Sequence, residues 1–276
     1  MKRTNLLGLL LCAVVFVAGF LLKGHLGLYV NLASLMIVVG GSATAALLCF
    51  RLERLGIVAR VVRASYGSRL KSEAEIVDSL IDLAIKSRMT GILSLEKDEH
   101  ETSVLFLRRA LGCLVDNYDP AQIRDILNTE MYFFKLRRED SERVLRTIAD
   151  FCPAFGIVGS VAGLIPLLGG IGETGIILKT MPLALTSILY GLILANFFFL
   201  PFAANLRERT NHELLLQKII MEGIIAIEGE VNPTVLKTKL LSFLTPSERK
   251  ADLVPLARIR ERFRVRDEER TEPSVF

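Results

Sequence analysis

The feature that most limits how this chain can fold is a set of four long apolar stretches. A helix needs about 20 mostly apolar residues to cross the ~30 Å hydrocarbon core of a bilayer. The stretches that meet this requirement are Leu6–Leu22, Leu32–Phe50, Ala149–Leu168 and Pro182–Ala204. With 51% of its 276 residues apolar, the chain has more to bury than one water-soluble domain of this size requires. We therefore predict an all-α integral membrane protein with four transmembrane helices in two pairs.

The first stretch is preceded by Lys2 and Arg3, an arrangement that is also typical of a signal peptide. Its apolar run is longer than that of a removed signal, and a second run follows closely, so we interpret it as a retained helix. A lipoprotein signal ending at Cys12 is disfavoured because it needs a small residue where Leu11 stands.

Between the two pairs, residues 51–146 form a predicted cytoplasmic insert made of helices. Apolar residues recur there at helical spacing. The three predicted stripes are Ile76, Leu80, Leu83 and Ala84; Val104, Leu107, Leu111 and Leu114; and Ile123, Ile126 and Leu127. Asp119 and Pro120 are typical of a helix start.

The apolar stretches and the helical spacing also set the bounds of the other predicted regions. Residues 1–50 hold the first pair of spans and residues 147–206 the second pair, joined by a turn around Gly169–Met181. Residues 207–248 are predicted as cytoplasmic helices, continuing over Leu206–Ile227 and resuming at Thr234–Leu244. The charged tail, 249–276, is predicted to be disordered because it has few large apolar residues.

Orientation follows from the arginines and lysines beside the span ends, which concentrate on the cytoplasmic side of bacterial membrane proteins. The basic groups on one side are Lys2 and Arg3; Arg51, Arg54, Arg60 and Arg63; Arg137, Arg138, Arg143 and Arg146; and Arg207 and Arg209. The opposite loops hold only Lys23 and Lys179. Both termini and the insert are therefore predicted to be cytoplasmic.

Enzymatic and metal chemistry has no support in the residue pattern. The four cysteines, Cys12, Cys49, Cys113 and Cys152, have no paired spacing, and the three histidines are isolated. There is no phosphate-binding glycine loop, no nucleophile elbow, and no basic stripe with interleaved aromatics for nucleic acid. We expect no catalytic residue, no cofactor and no metal.

The second pair of spans has small residues along one face of each helix. They are Gly156, Gly159, Ser160 and Gly163 in the third span, and Ala184, Ser187, Gly191 and Ala195 in the fourth. Such patterns most often mark close helix packing. The hydroxyls of Ser160, Thr186 and Ser187 add a second interpretation, in which the two helices line a narrow ion pathway.

No acidic or basic residue lies inside a predicted span, and Asp150 stands at the cytoplasmic edge of the third. Ion and proton pathways normally retain such a group despite its cost of about 2.5 to 3.5 kcal/mol. Either the chain has no ion function, or a partner supplies the acid.

Several segments together resemble the MotA-type flagellar stator subunit. They are Asn31–Gly41, Ser87–Arg88 to Ser94–Glu96, Asp150 with Pro153–Leu164, Leu189–Gly191 with Ala195–Asn196, Leu200–Pro201, Glu222–Ile224 and Asn232–Pro233. Each motif alone is weak, but together they extend from about Asn31 to Arg249 and agree with the two-plus-two topology.

The resemblance implies a ring of five subunits around two copies of a MotB-type partner, which carries the membrane Asp and is anchored to peptidoglycan. It implies an ion-pathway role for Ser160, to which the residue pattern adds the hydroxyls of Thr186 and Ser187. Coupling of ion passage to movement falls to Asp150, Pro153 and Pro201. Arg88 and Glu96, eight residues apart and about two helical turns, match the charged pair that contacts a rotor switch protein of the FliG type.

One departure from the family concerns the fourth span, where Ile188 replaces the Thr that commonly precedes Leu-Tyr-Gly. Sodium requires several oxygen ligands, so the loss of this hydroxyl favours protons. Two alternatives remain open at this point. One is an energy-transducing subunit of the ExbB or TolQ type, which has a single span before the insert, and the other is a passive membrane scaffold.

Overall fold

The computed structural model describes residues 11, 14–16, 18–19, 22, 26–67, 72–102, 104–169 and 174–244. Every regular element in these ranges is helical, which confirms the all-α prediction. The α-helices are α1 Leu32–Cys49, α2 Leu52–Gly67, α3 Glu73–Thr90, α4 Glu96–Glu101, α5 Leu105–Val115, α6 Pro120–Gly169, α7 Thr174–Ile193, α8 Leu200–Glu228 and α9 Pro233–Leu241. Short 3₁₀ turns cover Leu26–Tyr29 and Ile92–Leu95, and a π-helical segment, Leu194–Phe199, joins α7 to α8.

Three helical stretches are long and apolar enough to cross a membrane: Leu32–Cys49, Pro120–Gly169 and Thr180–Glu228. They contain the third and fourth predicted spans and all of the second except Phe50. The first predicted span, Leu6–Leu22, lies mostly outside the described residues, and the tail 249–276 lies wholly outside them.

The chain divides into two compact units. Unit 1 consists of Met1–Gly67 and Arg137–Arg209, and unit 2 consists of Ser68–Leu136 and Thr210–Phe276. Unit 1 therefore holds the predicted spans together with α2 and part of α6.

In unit 1, α1 begins where the Asn31 side chain accepts a hydrogen bond from the Ser34 N–H at 3.1 Å. An Asn at this position satisfies a backbone donor that the helix leaves unpaired. The buried residues of α1 recur every four positions: Ser34, Val38, Ser42 and Ala46. This spacing gives the helix one narrow packing face made largely of small side chains, with apolar residues exposed elsewhere, as a helix in lipid requires.

Unit 2 is built around one large apolar core. Its fully buried members include Ile76 and Leu80 of α3, Leu111 and Leu114 of α5, and Ile123 and Leu127 of α6. They are joined by Ile219, Ile220, Met221 and Ile224 of α8 and by Leu236 and Leu240 of α9. The stripes predicted from helical spacing thus form this core.

Two residues of the predicted stripes are not buried members of this core. Ile126 is 36% exposed, because it precedes the buried Leu127 by one residue and so points about 100° away around the helix. Val104 precedes α5 and only packs against the core from outside it.

Local boundaries follow the predicted start signals more closely than the predicted ends. Pro120 opens α6, and the Asp119 carboxylate accepts from the N–H groups of Ala121 and Gln122 at 2.8 and 2.9 Å. The predicted turn Gly169–Met181 is too long, since α7 begins at Thr174. The last helix ends at Leu241 rather than Leu244.

Candidate functional site

The small-residue faces of α6 and α7 pack directly against each other. A Cβ atom added at Gly159 would lie 2.6 Å from the Ser187 Oγ, and one added at Gly191 would lie 2.5 Å from the Cys152 carbonyl oxygen. Real Cβ contacts are not this short, so only glycine permits the two helices to come so close. The stripes therefore act as a close-packing face within one chain.

The fourth-span hydroxyls are part of this packing. Ser187 is fully buried and donates to the Leu183 carbonyl at 2.8 Å. Thr186 is buried, and its Oγ1 lies 2.8 Å from the Ser34 Oγ and 2.6 Å from the Pro182 carbonyl oxygen. Serine and threonine hydroxyls commonly join membrane helices by such bonds.

Ser34 is a site residue that the sequence alone did not indicate. Its hydroxyl oxygen lies 3.0 Å from the Leu183 carbonyl oxygen and 2.8 Å from the Thr186 Oγ1, both in α7, and its one proton can be donated to either. Ser34 is completely buried. A serine in a membrane helix is the one available signal, but its partner lies about 150 residues away in the sequence, and no local pattern gives that contact.

The predicted pathway residues differ in how they are placed. Ser160 is buried in α6, and the hydrogen bonds of the described residues join Thr186 to Ser34 rather than to Ser160. Ile188, at the position of the family Thr, is 37% exposed. Since side chains that line a pore between copies must be exposed in one copy, Ile188 is better placed for such a surface than Thr186 or Ser187.

The residues predicted to couple ion passage to movement lie near the ends of the predicted spans. Asp150 is exposed, and Pro153 is half-buried inside α6. The Pro153 Cα would lie 3.1 Å from a Cβ at Gly191, which brings this proline against α7. Pro201 is exposed and directly follows the π-helical segment and Leu200. Because proline lacks an N–H, it disrupts the regular α-helical hydrogen bonds, and π segments often occur at functional positions.

Tyr190 ties α7 to the segment before α1. Its hydroxyl accepts from the Asn31 N–H at 2.9 Å and donates to the Tyr29 carbonyl at 2.5 Å. The sequence identified Tyr190 only as part of a motif. Its polar end in an apolar span is a signal for a hydrogen-bond partner, but the spacing does not identify which one.

Arg88 and Glu96 both lie at the surface of unit 2, but they do not share one helix. Helix α3 ends at Thr90, Gly91 has a positive φ of 85°, and a 3₁₀ turn precedes α4, which begins at Glu96. The prediction of two continuous helical turns is therefore wrong. The Arg88 guanidinium donates to the Glu230 carbonyl at 3.0 Å.

Glu222 is the most enclosed acidic residue among the described part of the chain, at 8% exposure. Three cations surround it: Lys239 at 2.7 Å, Arg124 at 3.2 Å and Lys218 at 3.4 Å. Burial would raise the pKa of this carboxyl, but the hydrogen bond and charge of Lys239, with Arg124 and Lys218, hold the pKa below its ordinary value. Apart from the motif match at Glu222, no sequence pattern predicts this cluster.

The described residues contain no group of three or more His, Cys, Asp or Glu side chains placed to hold a metal ion. Burial raises the pKa of the Cys113 thiol in unit 2 above its ordinary value, so this thiol is less reactive at neutral pH.

Residues 95–218 match the family described as "MotA/TolQ/ExbB proton channel family". "Motility protein A" of Treponema pallidum is 30% identical over 250 residues, covering 91% of this chain and 96% of the relative. The chain belongs to the motility protein A family. "Chemotaxis protein PomA" of Vibrio alginolyticus is 28% identical, covering 92% of this chain and 99% of the relative.

The chain is also similar in fold to a solved structure. The flagellar MotAB stator complex from Bacillus subtilis matches with a TM-score of 0.83 and 24% identity, over 91% of this chain and 100% of the matched chain. The family and the relatives confirm the resemblance inferred from the motifs. They support a flagellar stator ion-channel subunit over an ExbB or TolQ type, in a family of channel proteins rather than of enzymes.

Proposed function

We propose that this chain forms the pore ring of a proton-driven flagellar stator in the bacterial inner membrane. Five copies surround two copies of a MotB-type, peptidoglycan-anchored partner, and both termini of each copy are cytoplasmic. Proton flow turns the ring against a rotor switch protein of the FliG type. One charge crossing 100 mV releases about 2.3 kcal/mol, which is enough to bias a moving ring.

The observation that best supports this proposal is the combination of family membership with predicted spans that contain no ionisable acid inside them. A proton pathway needs a titrating group, and the MotB-type partner supplies it. A scaffold would explain the missing charges as well, but it would not require the motility-protein fold.

The pathway runs along the helix pair that contains Ser160, Thr186 and Ser187. Thr186 and Ser187 direct their hydroxyls inward, so they hold α7 in place behind the pathway surface. The neighbouring exposed position, Ile188, offers no oxygen. Sodium needs several oxygen ligands, and this surface supports protons as the ion.

Coupling involves Asp150, Pro153 and Pro201. Pro153 contacts α7 at Gly191 without a side chain between them, which lets a small shift of one helix reach the other. Pro201 follows a π-helical segment, where the hydrogen-bond register already departs from the regular helix.

Proton leak tests this function. The chain is co-expressed with a MotB-type partner from which the plug segment is removed, and cytoplasmic acidification is measured after an external pH drop. We expect a leak that needs both proteins and disappears when the partner's membrane Asp is replaced by Asn. Leak from this chain alone, or no leak when it is co-expressed with the plug-less partner that keeps its membrane Asp, would contradict the proposal.

A further inference from the structure

Helix α2 lies against the ends of the predicted spans. It begins at Leu52, shortly after α1 ends at Cys49, and the backbone at Phe50 is extended. Its buried Val58 belongs to a cluster with Val144 and Leu145 of α6 and Ala203 and Leu206 of α8. These positions flank the predicted cytoplasmic ends of the third and fourth spans, Ala149 and Ala204.

The rise along a helix, about 1.5 Å per residue, sets the level of α2. Leu145 lies four residues before Ala149, or about 6 Å along α6, and Leu206 lies two residues beyond Ala204. The cytoplasmic ends of the third and fourth predicted spans therefore lie within about one helical turn of residues that pack against α2. The second predicted span ends at Phe50, two residues before α2 begins. This places α2 at the surface of the membrane rather than deep in the cytoplasm.

The face of α2 that points away from this cluster is basic. Residues on an α-helix are about 100° apart, so Arg60 and Arg63 lie opposite the packed side chains Leu55, Val58 and Val62. Both arginines are exposed. Two exposed apolar side chains flank them, Leu52 at 73% and Ile57 at 52%.

The charges on this face are not neutralised within the described residues. Arg54, toward the packed side, pairs with Asp140 at 2.5 Å. Arg51, Arg60 and Arg63 make no ion pair with any described residue. Glu53 is the single acidic residue in α2.

We propose that the outer face of α2 is a binding site for anionic phospholipid headgroups at the cytoplasmic membrane surface. Arg60 and Arg63, with Arg51 at the span end, bind lipid phosphate, and Leu52 and Ile57 enter the acyl boundary. A guanidinium presents paired N–H donors that match phosphate oxygens. Basic residues next to a cytoplasmic span end are typical of anionic-lipid recognition.

A neighbouring copy of the chain is the competing occupant of this face. Arginine also occurs in protein interfaces, but Arg60 and Arg63 have no ion pair with a described residue, and anionic headgroups next to a cytoplasmic span end supply phosphates for both. Charge complementarity therefore favours the lipid. The inference rests on the membrane placement in the proposed function.

The test uses the full chain in complex with its MotB-type partner, purified in a neutral detergent. Native mass spectrometry measures binding of phosphatidylglycerol and of phosphatidylcholine to wild type and to Arg60→Gln/Arg63→Gln. We expect the double variant to bind phosphatidylglycerol at least about tenfold more weakly, with phosphatidylcholine unchanged. Arg60→Lys/Arg63→Lys, which keeps the charge, should retain most of the binding.

A matched control, Arg109→Gln/Lys237→Gln, removes the same charge from unit 2 and should leave phosphatidylglycerol binding near wild type. Equal loss in both double variants, or unchanged binding in Arg60→Gln/Arg63→Gln, would overturn the site. Loss of ring assembly in that variant with unchanged lipid affinity would identify a contact between copies instead. Should the variant not fold, wild-type phosphatidylglycerol binding that does not weaken as salt rises would equally overturn the proposal.

Proton leak is measured on the same preparations. A complex that binds phosphatidylglycerol through α2 but shows no leak counts against the stator function alone. A leaking complex without selective lipid binding counts against the lipid site alone.

Discussion

Units 1 and 2 are held together in different ways. Among the described residues, fourteen Leu, Ile and Met side chains are less than 2% exposed, and all but Leu206 belong to unit 2. In unit 1, glycines instead lie where helices come very close: Gly41 faces the Phe155 ring, Gly159 the Ser187 side chain, and Gly191 the Cys152 carbonyl oxygen. The two units therefore differ in how their helices pack.

The difference follows from the solvent that each region is suited to. Burial of large apolar side chains stabilises a fold only when the alternative is exposure to water. Lipid tails remove that difference, so close backbone contact and internal hydrogen bonds must stabilise the helix pair. Truncating a buried side chain should therefore lower stability most in unit 2, and enlarging a buried residue should lower stability most in unit 1.

The largest expected effect is that of truncation in unit 2. Leu80 is fully buried, and its side chain lies against Gly223 of α8. Leu80→Ala should lower the free energy of unfolding by about 2 to 5 kcal/mol, because it removes apolar contacts and leaves a cavity. Thermal unfolding of the purified protein measures the loss. Leu93→Ala, at a position 74% exposed, is the control and should change little; equal losses would contradict the assigned core.

The second-largest effect on stability is expected when a glycine in unit 1 is replaced by a larger residue. In Gly191→Ala the new methyl would lie 2.5 Å from the Cys152 carbonyl oxygen, a backbone atom that cannot rotate away. The variant should lose about 1 to 3 kcal/mol of stability and part of its ring assembly, as measured by thermal unfolding in detergent and by native mass spectrometry. Gly40→Ala is the matched control, since nothing lies within 4 Å of its new Cβ. If both variants behave alike, close contact between α6 and α7 is not what stabilises unit 1.

The acidic centre of unit 2 gives a smaller effect with a defined pH dependence. The folded-state pKa of Glu222 lies below its ordinary value of 4.5. Its carboxylate therefore stabilises the fold above that value, and the contribution disappears as pH falls through the folded-state pKa. Glu222→Gln should cost about 1 to 2 kcal/mol at neutral pH, because the three cations are each partly exposed to water.

Chemical unfolding of wild type and Glu222→Gln at several pH values tests this assignment. The difference in unfolding free energy should shrink as the pH falls below about 4.5. A Glu222→Gln cost that stays constant down to acidic pH would exclude the carboxylate charge as its cause.

Much of the fold could be predicted because it depends on local patterns. Apolar run length gave α1 to within one residue at its end, and helical spacing gave the stripes that form the core of unit 2. The contacts within the candidate site could not be predicted from local patterns. The Ser34–Thr186 bond joins residues about 150 positions apart, and which of the adjacent Thr186, Ser187 and Ile188 points outward depends on the exact rotation of α7.

The break between Arg88 and Glu96 illustrates a second limit. Gly91 was visible in the sequence, but an isolated glycine in a helical pattern is often tolerated. Its positive φ, and the 3₁₀ turn after it, depend on how α3 and α4 pack in unit 2.

A hydrogen bond rather than packing is the subject of the next prediction in unit 1. Tyr190→Phe removes the hydroxyl that joins Asn31 and Tyr29, at a cost of about 1 kcal/mol. Thermal unfolding in detergent should show the loss, and Tyr132→Phe, at a position 62% exposed in unit 2, should show none. No difference between the two variants would mean that the Tyr190 bond adds nothing to the packing of unit 1.

The smallest effect on stability is expected at Arg88, where the proposal predicts a large effect on movement. Arg88 is exposed in the last turn of α3, where a positive charge interacts favourably with the helix dipole, so Arg88→Glu should cost at most about 1 kcal/mol. Complementary charges govern how two moving surfaces meet and align more than they govern folding. Swimming should therefore fall strongly while membrane abundance, ring assembly and proton leak stay near wild type, and an opposite charge change on the rotor switch protein should partly restore swimming. Arg109→Glu is the control, because it reverses an exposed charge in the same unit whose one ion pair among the described residues is with Glu130, and it should leave swimming intact. If abundance of the Arg88→Glu protein falls in proportion to swimming, then Arg88, which donates to the Glu230 carbonyl, has a structural role and is not a rotor contact.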